Sequence, residues 1–313
     1  MDILVVIPVY NKASTLQRAV ESAVNQTYAA REVLIIDDGS NDGSERIADQ
    51  LVNEKIRVIH QNNQGVSAAR NAGIAYAQEN DFTQIALLDA DDYWTNEHLA
   101  TIKELFEKFP TAQVFATNYL LKRKRKTLET KFSNLKNSEP QVLLEPFFKY
   151  NYLNPTLRCS SIVIETSALE KVGLFNTDYT HFEDIDWFIR IGIHLKIAFS
   201  KKITLYVDES AENRSNKVAM SQRRYPDFSD YDDYASTNNA LSKYLSLNRY
   251  GIAIAYRLVN DISGAHKYQN IVDVNHLTKK QQSLLKMNRI QLKSLRKTQR
   301  ILGNLGFHVR SGK

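Results

Sequence analysis

The chain has 313 residues, of which 43% are hydrophobic and 24% charged, with a net charge of +6. These values are typical of an ordinary soluble globular protein that is long enough to bury a large core. The single cysteine, Cys159, excludes an intrachain disulfide, and no apolar stretch approaches the roughly 18 residues of a membrane-spanning helix. The first residues also lack the basic start of a signal peptide, so we expect a cytoplasmic protein.

The first 120 residues alternate between predicted strands and predicted helices. The strands are short apolar runs rich in β-branched residues, a pattern that indicates burial on both faces. They cover residues 3–9, 32–36, 56–60, 84–88 and 113–119. Four strand–helix alternations with short loops predict a doubly wound α/β sheet.

Polar clusters follow three of these strands directly. They are Tyr10-Asn11, Asp37-Asp38-Gly39-Ser40 and Asp89-Ala90-Asp91-Asp92. Ligands of doubly wound sheets bind beyond the carboxyl ends of the strands. The three clusters together therefore predict a ligand site at this edge of the sheet.

Beyond residue 120 the pattern changes. The basic run at 122–126 is typical of a solvated loop or hairpin tip. A strand at 159–164, a helix at 181–194 and an edge strand at 197–207 are predicted next. Residues 208–240 give no clear pattern, and the chain from about Asn238 onward is predicted to be helical.

The cluster at residues 89–92 carries carboxylates two residues apart, just past a buried strand. Asp89 and Asp91 cannot both be comfortably ionised there without a cation. A hard divalent ion such as Mg²⁺ or Mn²⁺ would relieve the repulsion and neutralise a diphosphate leaving group. An acidic helix cap is the alternative interpretation.

A second acidic pair, Asp37 and Asp38, also ends a buried strand. Turn chemistry explains Gly39 and Ser40 but not two adjacent acids at this position. One of the acids could accept a hydrogen bond from a nucleotide base or a ribose hydroxyl.

Two helix starts carry further candidate residues. Residues 65–73 are small apart from Arg70 and Asn71, and Arg70 could bind a phosphate or a base edge, or form a surface ion pair. Glu183 and Asp184 open a later helix, where the helix dipole favours acids in any case. In a sugar-transfer site, a carboxylate there would be the general base that deprotonates an acceptor hydroxyl.

Five segments together resemble the motifs of the family 2 glycosyltransferases: VVIPVYN, LIIDDGSNDGS, GVSAARNAG, LLDADD and FEDIDWFIR. Their order and spacing match over roughly residues 3–192, and five motifs in register are highly specific. The resemblance implies a GT-A fold, which is an α/β doubly wound mixed sheet. It also implies non-processive transfer, with inversion, of a sugar from a nucleotide-sugar, with UDP favoured. The acceptor would be a saccharide or lipid-linked saccharide of a bacterial surface polysaccharide or lipooligosaccharide.

The resemblance also divides the chain. Residues 1–235 would form the catalytic domain, with 1–120 as the half that binds the nucleotide-sugar and 121–235 as the acceptor half. Residues 236–313 would form a helical, basic C-terminal extension.

The resemblance assigns roles residue by residue. Five side chains would line the donor site: Pro8, Tyr10, Asp38, Arg70 and Asp89. The first three would surround the base, with Asp38 bonding a uracil-like edge, and Asp89 would contact the ribose or the diphosphate. Asp91 would bind Mn²⁺ or Mg²⁺, and Asp184 would be the catalytic base.

The chain departs from the family pattern at two places. It lacks the Gln-x-x-Arg-Trp motif and the membrane helices of processive members, so cellulose- or hyaluronan-type synthesis is not expected. It also lacks a histidine at 208–214, where many members use one to hold the metal or diphosphate. Asp208, Glu209, Glu212 or Asn213 would have to substitute.

The tail is strongly basic. Residues 274–313 hold ten Lys or Arg and no acid, which leaves 31 basic and 35 acidic residues in the rest of the chain. Its leucines recur at heptad-like spacing: Leu285, Leu292, Leu295, Leu302 and Leu305. The tail is either a basic amphipathic helix on an anionic membrane at the inner face, a helix pairing with a second copy in a homodimer, or a helix packed on the catalytic domain. No module or aromatic interleaving indicates nucleic-acid binding.

Two rival functions are a catalytically inactive sugar-nucleotide-binding module and an Asp-x-Asp phosphotransferase. The missing histidine leaves the first open, whereas retention of Glu183 and Asp184 argues against it. The second normally carries its signature after the first strand, not the fourth. The chain lacks Gly-x-Gly-x-x-Gly and Gly-Lys-Ser/Thr, which excludes a dinucleotide-binding dehydrogenase and a P-loop enzyme.

Overall fold

The computed structural model describes residues 1–124, 126–135, 139–211 and 218–304, with side chains to residue 298. Its strands are β1 (Ile3–Val9), β2 (Glu32–Asp37), β3 (Ile56–His60), β4 (Gln84–Leu87), β5 (Tyr93–Trp94), β6 (Val114–Arg123), β7 (Lys126–Glu129), β8 (Gln141–Leu143), β9 (Ile162–Glu165) and β10 (Ile197–Asp208). Its helices are α1 (Leu16–Val24), α2 (Ser44–Leu51), α3 (Val66–Glu79), α4 (His98–Lys108), α5 (Leu169–Val172), α6 (Glu183–His194), α7 (Asp232–Thr237), α8 (Asn239–Val259), α9 (Ile262–Gln269), α10 (Lys279–Lys286) and α11 (Arg289–Asn304). The alternation predicted for the first 120 residues is confirmed.

The strands form one mixed sheet in the order β3-β2-β1-β4-β9-β6-β10-β5. Strands β1 to β4 are parallel. Strand β9 is antiparallel to both of its neighbours, β4 and β6, and β10 is parallel to β6. The predicted doubly wound mixed sheet is therefore confirmed.

The prediction of an edge strand at 197–207 is wrong. β10 has β6 on one side and the short antiparallel strands β5 and β8 on the other. Its register against β6 shifts between Ser200 and Leu205. Lys201 and Lys202 lie in this irregular part and are at least partly exposed, which gave the sequence the polar interruption of an edge strand.

The sheet separates two hydrophobic cores. On β1, Leu4 and Val6 face a core shared with α3 and α6, whereas Val5 and Ile7 face one shared with α1 and α4. Because both faces are covered, the strand reads as a continuous apolar run rather than an alternating one. Helix α3 approaches closely: a Cβ at Gly73 would lie 2.2 Å from a methyl group of Val6, which explains why that segment is made of small residues.

The C-terminal helices pack onto the face of the sheet that also carries α6. Leu285 of α10 and Leu292 of α11 are buried in the same core as Trp187 of α6, and Leu295 packs against it. The described part of the tail thus supports the third interpretation, a helix packed on the catalytic domain. The side chain of Leu302 and all of Leu305 lie outside the described residues. Among the residues that the structure describes, no helix is long and apolar enough to cross a membrane.

Two element boundaries differ from their predictions and matter for the site. Residues 159–161 form a short 3-10 turn, so the strand predicted at 159–164 begins only at Ile162. The helix predicted from residue 181 begins at Glu183, because Phe182 adopts a left-handed conformation with φ of 65°. The first shift places Ser160 in a turn, and the second places Glu183 and Asp184 in the first turn of α6.

Candidate active site

The loops that follow β1 and β2 are tied together. The backbone N–H of Asn11 donates to Ser40 Oγ at 3.0 Å, and that of Lys12 donates to Ser44 Oγ at 2.7 Å. Pro8 is buried in β1, whereas Tyr10, which directly follows this strand, is 45% exposed. Tyr10 is therefore accessible to a ligand at the carboxyl edge of the sheet, and its role in binding a donor stays a prediction.

Asp38 is buried and holds the loop that leads into α3. Its carboxylate accepts hydrogen bonds from Gln61 Nε2 at 2.7 Å and from the backbone N–H groups of Gln64 and Gly65, both at 2.8 Å. The neighbouring Asp37 accepts from Ser40 N at 3.2 Å. The two acids thus shape the loops beside Tyr10, and the bond from Asp38 to a base edge stays a prediction.

Arg70 connects two motifs that are far apart in the sequence. Its Nη2 lies 2.8 Å from Asp89 Oδ1, and its Nη1 lies 3.3 Å from Glu183 Oε1. The guanidinium is buried and lies 5.2 Å from the centroid of the Phe175 ring. A surface ion pair is therefore the wrong interpretation, and Arg70 fixes the start of α6 against the end of β4.

The acid pair at the start of α6 occupies two different environments. Burial and the neighbouring Asp184 raise the pKa of Glu183 to about 7, against the opposing effect of Arg70. Asp184 is half-buried, and its Oδ1 accepts from the backbone N–H of Ile185 at 2.8 Å. Arg70 holds Glu183, so the adjacent carboxylate is the one less constrained by this ion pair.

Asp91 is bound by a lysine. Its Oδ2 lies 2.7 Å from Lys12 Nζ, and its carbonyl oxygen accepts from Arg18 Nη2 at 2.9 Å. Arg18 also forms an ion pair with Asp208 at 3.0 Å. Lys12 and Arg18 are not among the predicted site residues. Lys12 directly follows the Tyr10-Asn11 cluster, and this position could have indicated that it belongs to the site.

Asp92 is the most deeply buried carboxyl group of the 89–92 cluster. It accepts hydrogen bonds from Ser160 Oγ at 2.7 Å and from the backbone N–H of Asp208 at 3.0 Å. Burial raises its pKa to about 8, with smaller contributions from Asp91 and Asp89. The helix-cap interpretation is wrong, because α4 begins only at His98, after Glu97.

The residues that could substitute for the missing histidine have different surroundings. Asp208 lies beside Asp92 and accepts from Arg18 and from Ser210, and these hydrogen bonds keep its pKa below the ordinary value against the effect of burial. Glu209 instead pairs with Arg123. Glu212 and Asn213 lie outside the described residues. In the ranges that the structure describes, no group of three or more His, Cys, Asp or Glu side chains is arranged to hold a metal ion.

Known proteins resemble this chain in sequence. A family model described as "Glycosyl transferase family 2" matches residues 4–169. An uncharacterized glycosyltransferase of a Nostoc species is 43% identical over 110 residues, which cover 34% of this chain and 33% of that protein. The Escherichia coli UDP-Glc:alpha-D-GlcNAc-diphosphoundecaprenol beta-1,3-glucosyltransferase WfaP is 27% identical over 192 residues, which cover 60% of this chain and 68% of that protein.

Solved structures share the fold. The crystal structure of S. aureus TarS 1–349 in complex with UDP-GlcNAc matches with a TM-score of 0.58 at 16% identity, over 86% of this chain and 91% of that chain. This likeness shows the fold alone. The chain spans about a third of the length of several curated relatives that it matches.

Proposed function

This chain belongs to glycosyl transferase family 2, and on that basis we propose that it transfers a sugar from a nucleoside-diphosphate donor to a hydroxyl group of a saccharide. The observation that carries the proposal is the pair of contacts from Arg70 to Asp89 and Glu183. These contacts bring the acidic turn after β4 next to the acid pair at the start of α6. We propose that the donor binds at the acidic turn and that the acceptor binds at the acid pair.

The proposed reaction is a single displacement. Asp184 takes the proton of the acceptor hydroxyl, and the hydroxyl oxygen forms a bond to the anomeric carbon. The bond between that carbon and the diphosphate oxygen breaks at the same time, and its electron pair leaves with the diphosphate. Attack from the face opposite the leaving group inverts the anomeric centre.

We propose Mn²⁺ or Mg²⁺ as the cofactor, with Asp91 as its protein ligand. Mg²⁺ in nucleotide sites is often held by one or two carboxylates together with substrate phosphates and water. Asp91 already attracts a cation, since its Oδ2 lies 2.7 Å from Lys12 Nζ. Burial, Asp91 and Asp89 raise the pKa of the adjacent Asp92, and a buried acidic turn of this kind fits a divalent cation. When bound, such an ion neutralises charge on the diphosphate.

UDP is the favoured nucleotide. The name of WfaP gives a UDP-sugar donor and a diphosphoundecaprenol-linked acceptor, and the TarS structure contains UDP-GlcNAc. By analogy we propose a UDP-sugar donor and a saccharide acceptor, lipid-linked in the simplest case, in the synthesis of a surface polysaccharide or lipooligosaccharide.

A lipid-linked acceptor requires access to a membrane surface, and the exposed face of the tail supports this. Four leucines of α10 and α11 lie in or against the core: Leu284, Leu285, Leu292 and Leu295. Among the described side chains of these helices, the basic residues are exposed: Lys279, Lys280, Lys286, Arg289, Lys293, Arg296 and Lys297. A cationic face of this kind is attracted to anionic lipid headgroups. Peripheral binding at the cytoplasmic face of a membrane is therefore part of the proposal.

A thermal melt with UDP, alone, with Mn²⁺ and with EDTA, tests the donor site. A ligand at about 100 times its Kd adds roughly 2.7 kcal/mol, which for a chain of this size raises the Tm by about 4 °C. We expect the rise to need both UDP and Mn²⁺, and we expect transfer when UDP-sugars are screened with a saccharide acceptor. No response to UDP, GDP or dTDP would contradict the proposal. Binding without transfer from any donor would favour the inactive binding module.

A further inference from the structure

Arg158 is a fourth cation at the site, and its backbone is firmly placed. It directly precedes the 3-10 turn at 159–161. Its N–H donates to Ser161 Oγ at 2.9 Å, and its carbonyl oxygen accepts from Ser161 N at 2.8 Å. The same turn carries Ser160, which binds Asp92. The start of the Arg158 side chain is therefore fixed relative to the acidic turn after β4.

The Arg158 side chain lies on an aromatic ring. Its guanidinium carbon is 5.2 Å from the centroid of the Tyr119 ring. Tyr119 is buried in β6 and donates from its hydroxyl to Pro155 O at 2.9 Å, which ties it to the loop before Arg158. An arginine stacked in this way keeps its planar donor fork oriented before any ligand arrives.

The other three cations of the site form ion pairs with carboxylates. Lys12 binds Asp91, Arg18 binds Asp208, and Arg70 binds Asp89 and Glu183.

Arg158 differs from these three. In the described part of the chain no ion pair joins it to a carboxylate, and its buried Nε has no hydrogen-bond partner. Burial lowers the pKa of Arg158, but Tyr119, Asp184 and Asp92 more than offset this and hold it above the ordinary value. It therefore stays charged, within the electrostatic reach of both the proposed base and the acidic turn.

We propose that Arg158 binds an oxyanion of the substrate, and specifically the diphosphate of the donor. This inference rests on the proposed function and adds a phosphate ligand to it. The guanidinium fork matches two phosphate oxygens at once. A half-buried cation that has no carboxylate partner among the described residues gains most from an arriving anion. Within electrostatic reach of Asp92 and Asp184, such a cation would stabilise the negative charge that develops as the diphosphate departs.

Binding of four probes to the full chain tests the proposal: UDP, UMP, uridine and inorganic pyrophosphate, each followed by calorimetry with Mn²⁺. The variants are Arg158→Gln and Arg158→Lys, and the matched control is Arg46→Gln, whose side chain is 81% exposed. We expect Arg158→Gln to weaken UDP and pyrophosphate by about 10- to 100-fold, the usual size of a charged hydrogen-bond loss, and to leave uridine unchanged. Arg158→Lys keeps the charge but not the planar fork, so we expect its affinity for UDP and pyrophosphate to lie between those of the parent chain and Arg158→Gln. We expect the affinities of the Arg46→Gln control to equal those of the parent chain.

The outcomes separate this inference from the proposed function. Unchanged UDP and pyrophosphate affinity in Arg158→Gln overturns it, whether or not the melting temperature falls. Unchanged UDP affinity with a raised KM for an anionic acceptor also overturns it, because the anion then belongs to the acceptor. If the parent chain binds pyrophosphate and UDP but transfers no sugar, the proposed function fails, and the variants still decide the role of Arg158. If the parent chain binds none of the probes, both fail. Should Arg158→Gln not fold, Arg158→Lys, whose stem can still pack on Tyr119, is the deciding variant.

Discussion

Replacing Glu183 with glutamine removes one buried ionisable group and nearly preserves its shape. The pKa of Glu183 is raised from 4.5 to about 7, first by burial and then by Asp184. Between these two pH values the folded chain keeps a proton that the unfolded chain has released. The stability of the parent chain therefore falls as pH rises from about 4.5 to about 7, and this contribution is constant above that.

The size of the effect follows from the same two values. The difference between 4.5 and about 7 corresponds to about 3 kcal/mol. Since the entropy of unfolding scales with chain length, this is about 5 °C of Tm for a chain of this size. The attraction of Arg70 is already contained in the raised pKa, so it does not add to this figure. Part of the change is already complete at pH 5. Between pH 5 and pH 8 we therefore expect the stability of Glu183→Gln relative to the parent chain to increase by most of this amount, whatever their relative stability at pH 5.

The assay is a series of thermal melts from pH 5 to pH 8.5 in EDTA, on the parent chain, Glu183→Gln and a control. Glu170→Gln is the matched control, because Glu170 also lies in the first turn of a helix but is exposed. The difference in Tm between Glu183→Gln and the parent should grow with pH, while that of Glu170→Gln stays flat. Parallel curves for Glu183→Gln and the parent would refute the claim that Glu183 is held protonated by its surroundings.

Three further predictions concern turnover and the membrane. Asp91→Asn should abolish transfer and the Mn²⁺-dependent part of UDP binding, measured by calorimetry with and without Mn²⁺, with little change in Tm; retained metal dependence would remove Asp91 as the ligand. Asp184→Asn should lose transfer by at least about 100-fold yet bind UDP as the parent does, and normal turnover would rule it out as the base. Replacing Lys286, Lys293 and Lys297, which are all exposed, together with glutamine should abolish co-sedimentation with anionic vesicles, without exposing the buried leucines and therefore without lowering Tm. Unchanged sedimentation would exclude this face as the membrane contact.

The sequence predicts the first half of the fold well, for a physical reason. Strands buried on both faces leave continuous apolar runs such as residues 3–9, and their carboxyl ends are marked by polar clusters that interrupt the runs abruptly. The second half was harder, because its strands are not consecutive in the sheet. The sequence of β10 contains two lysines where the register shifts, and nothing local reveals that β5 and β8 cover its outer side.

The sequence points to the acids of the candidate site but not to the contacts that they make. The acids at 89–92 and 183–184 stand out, because clustered carboxylates after a strand are unusual. Their partners do not stand out: Lys12 and Arg18 are ordinary surface-type residues until the fold brings them to the carboxylates. Arg158 stands out no more, because only the fold shows that it lies on Tyr119 without an ion pair to any described residue. Single-sequence patterns report periodicity and local turns, and a contact between Arg18 and Asp208 leaves no trace in either.

The position of β9 has a consequence for folding of the chain during its synthesis. β4 and β6 are made early, yet they do not pair with each other: residues 162–165 must be inserted between them before the sheet is continuous. Until that late segment emerges, the nascent chain presents two unpaired strand edges, each a template for pairing with another molecule. Fragments that end near residue 120 should therefore aggregate, and fragments extended past residue 165 should aggregate less. The other edge of β6 is covered along its length only when β10 pairs with it.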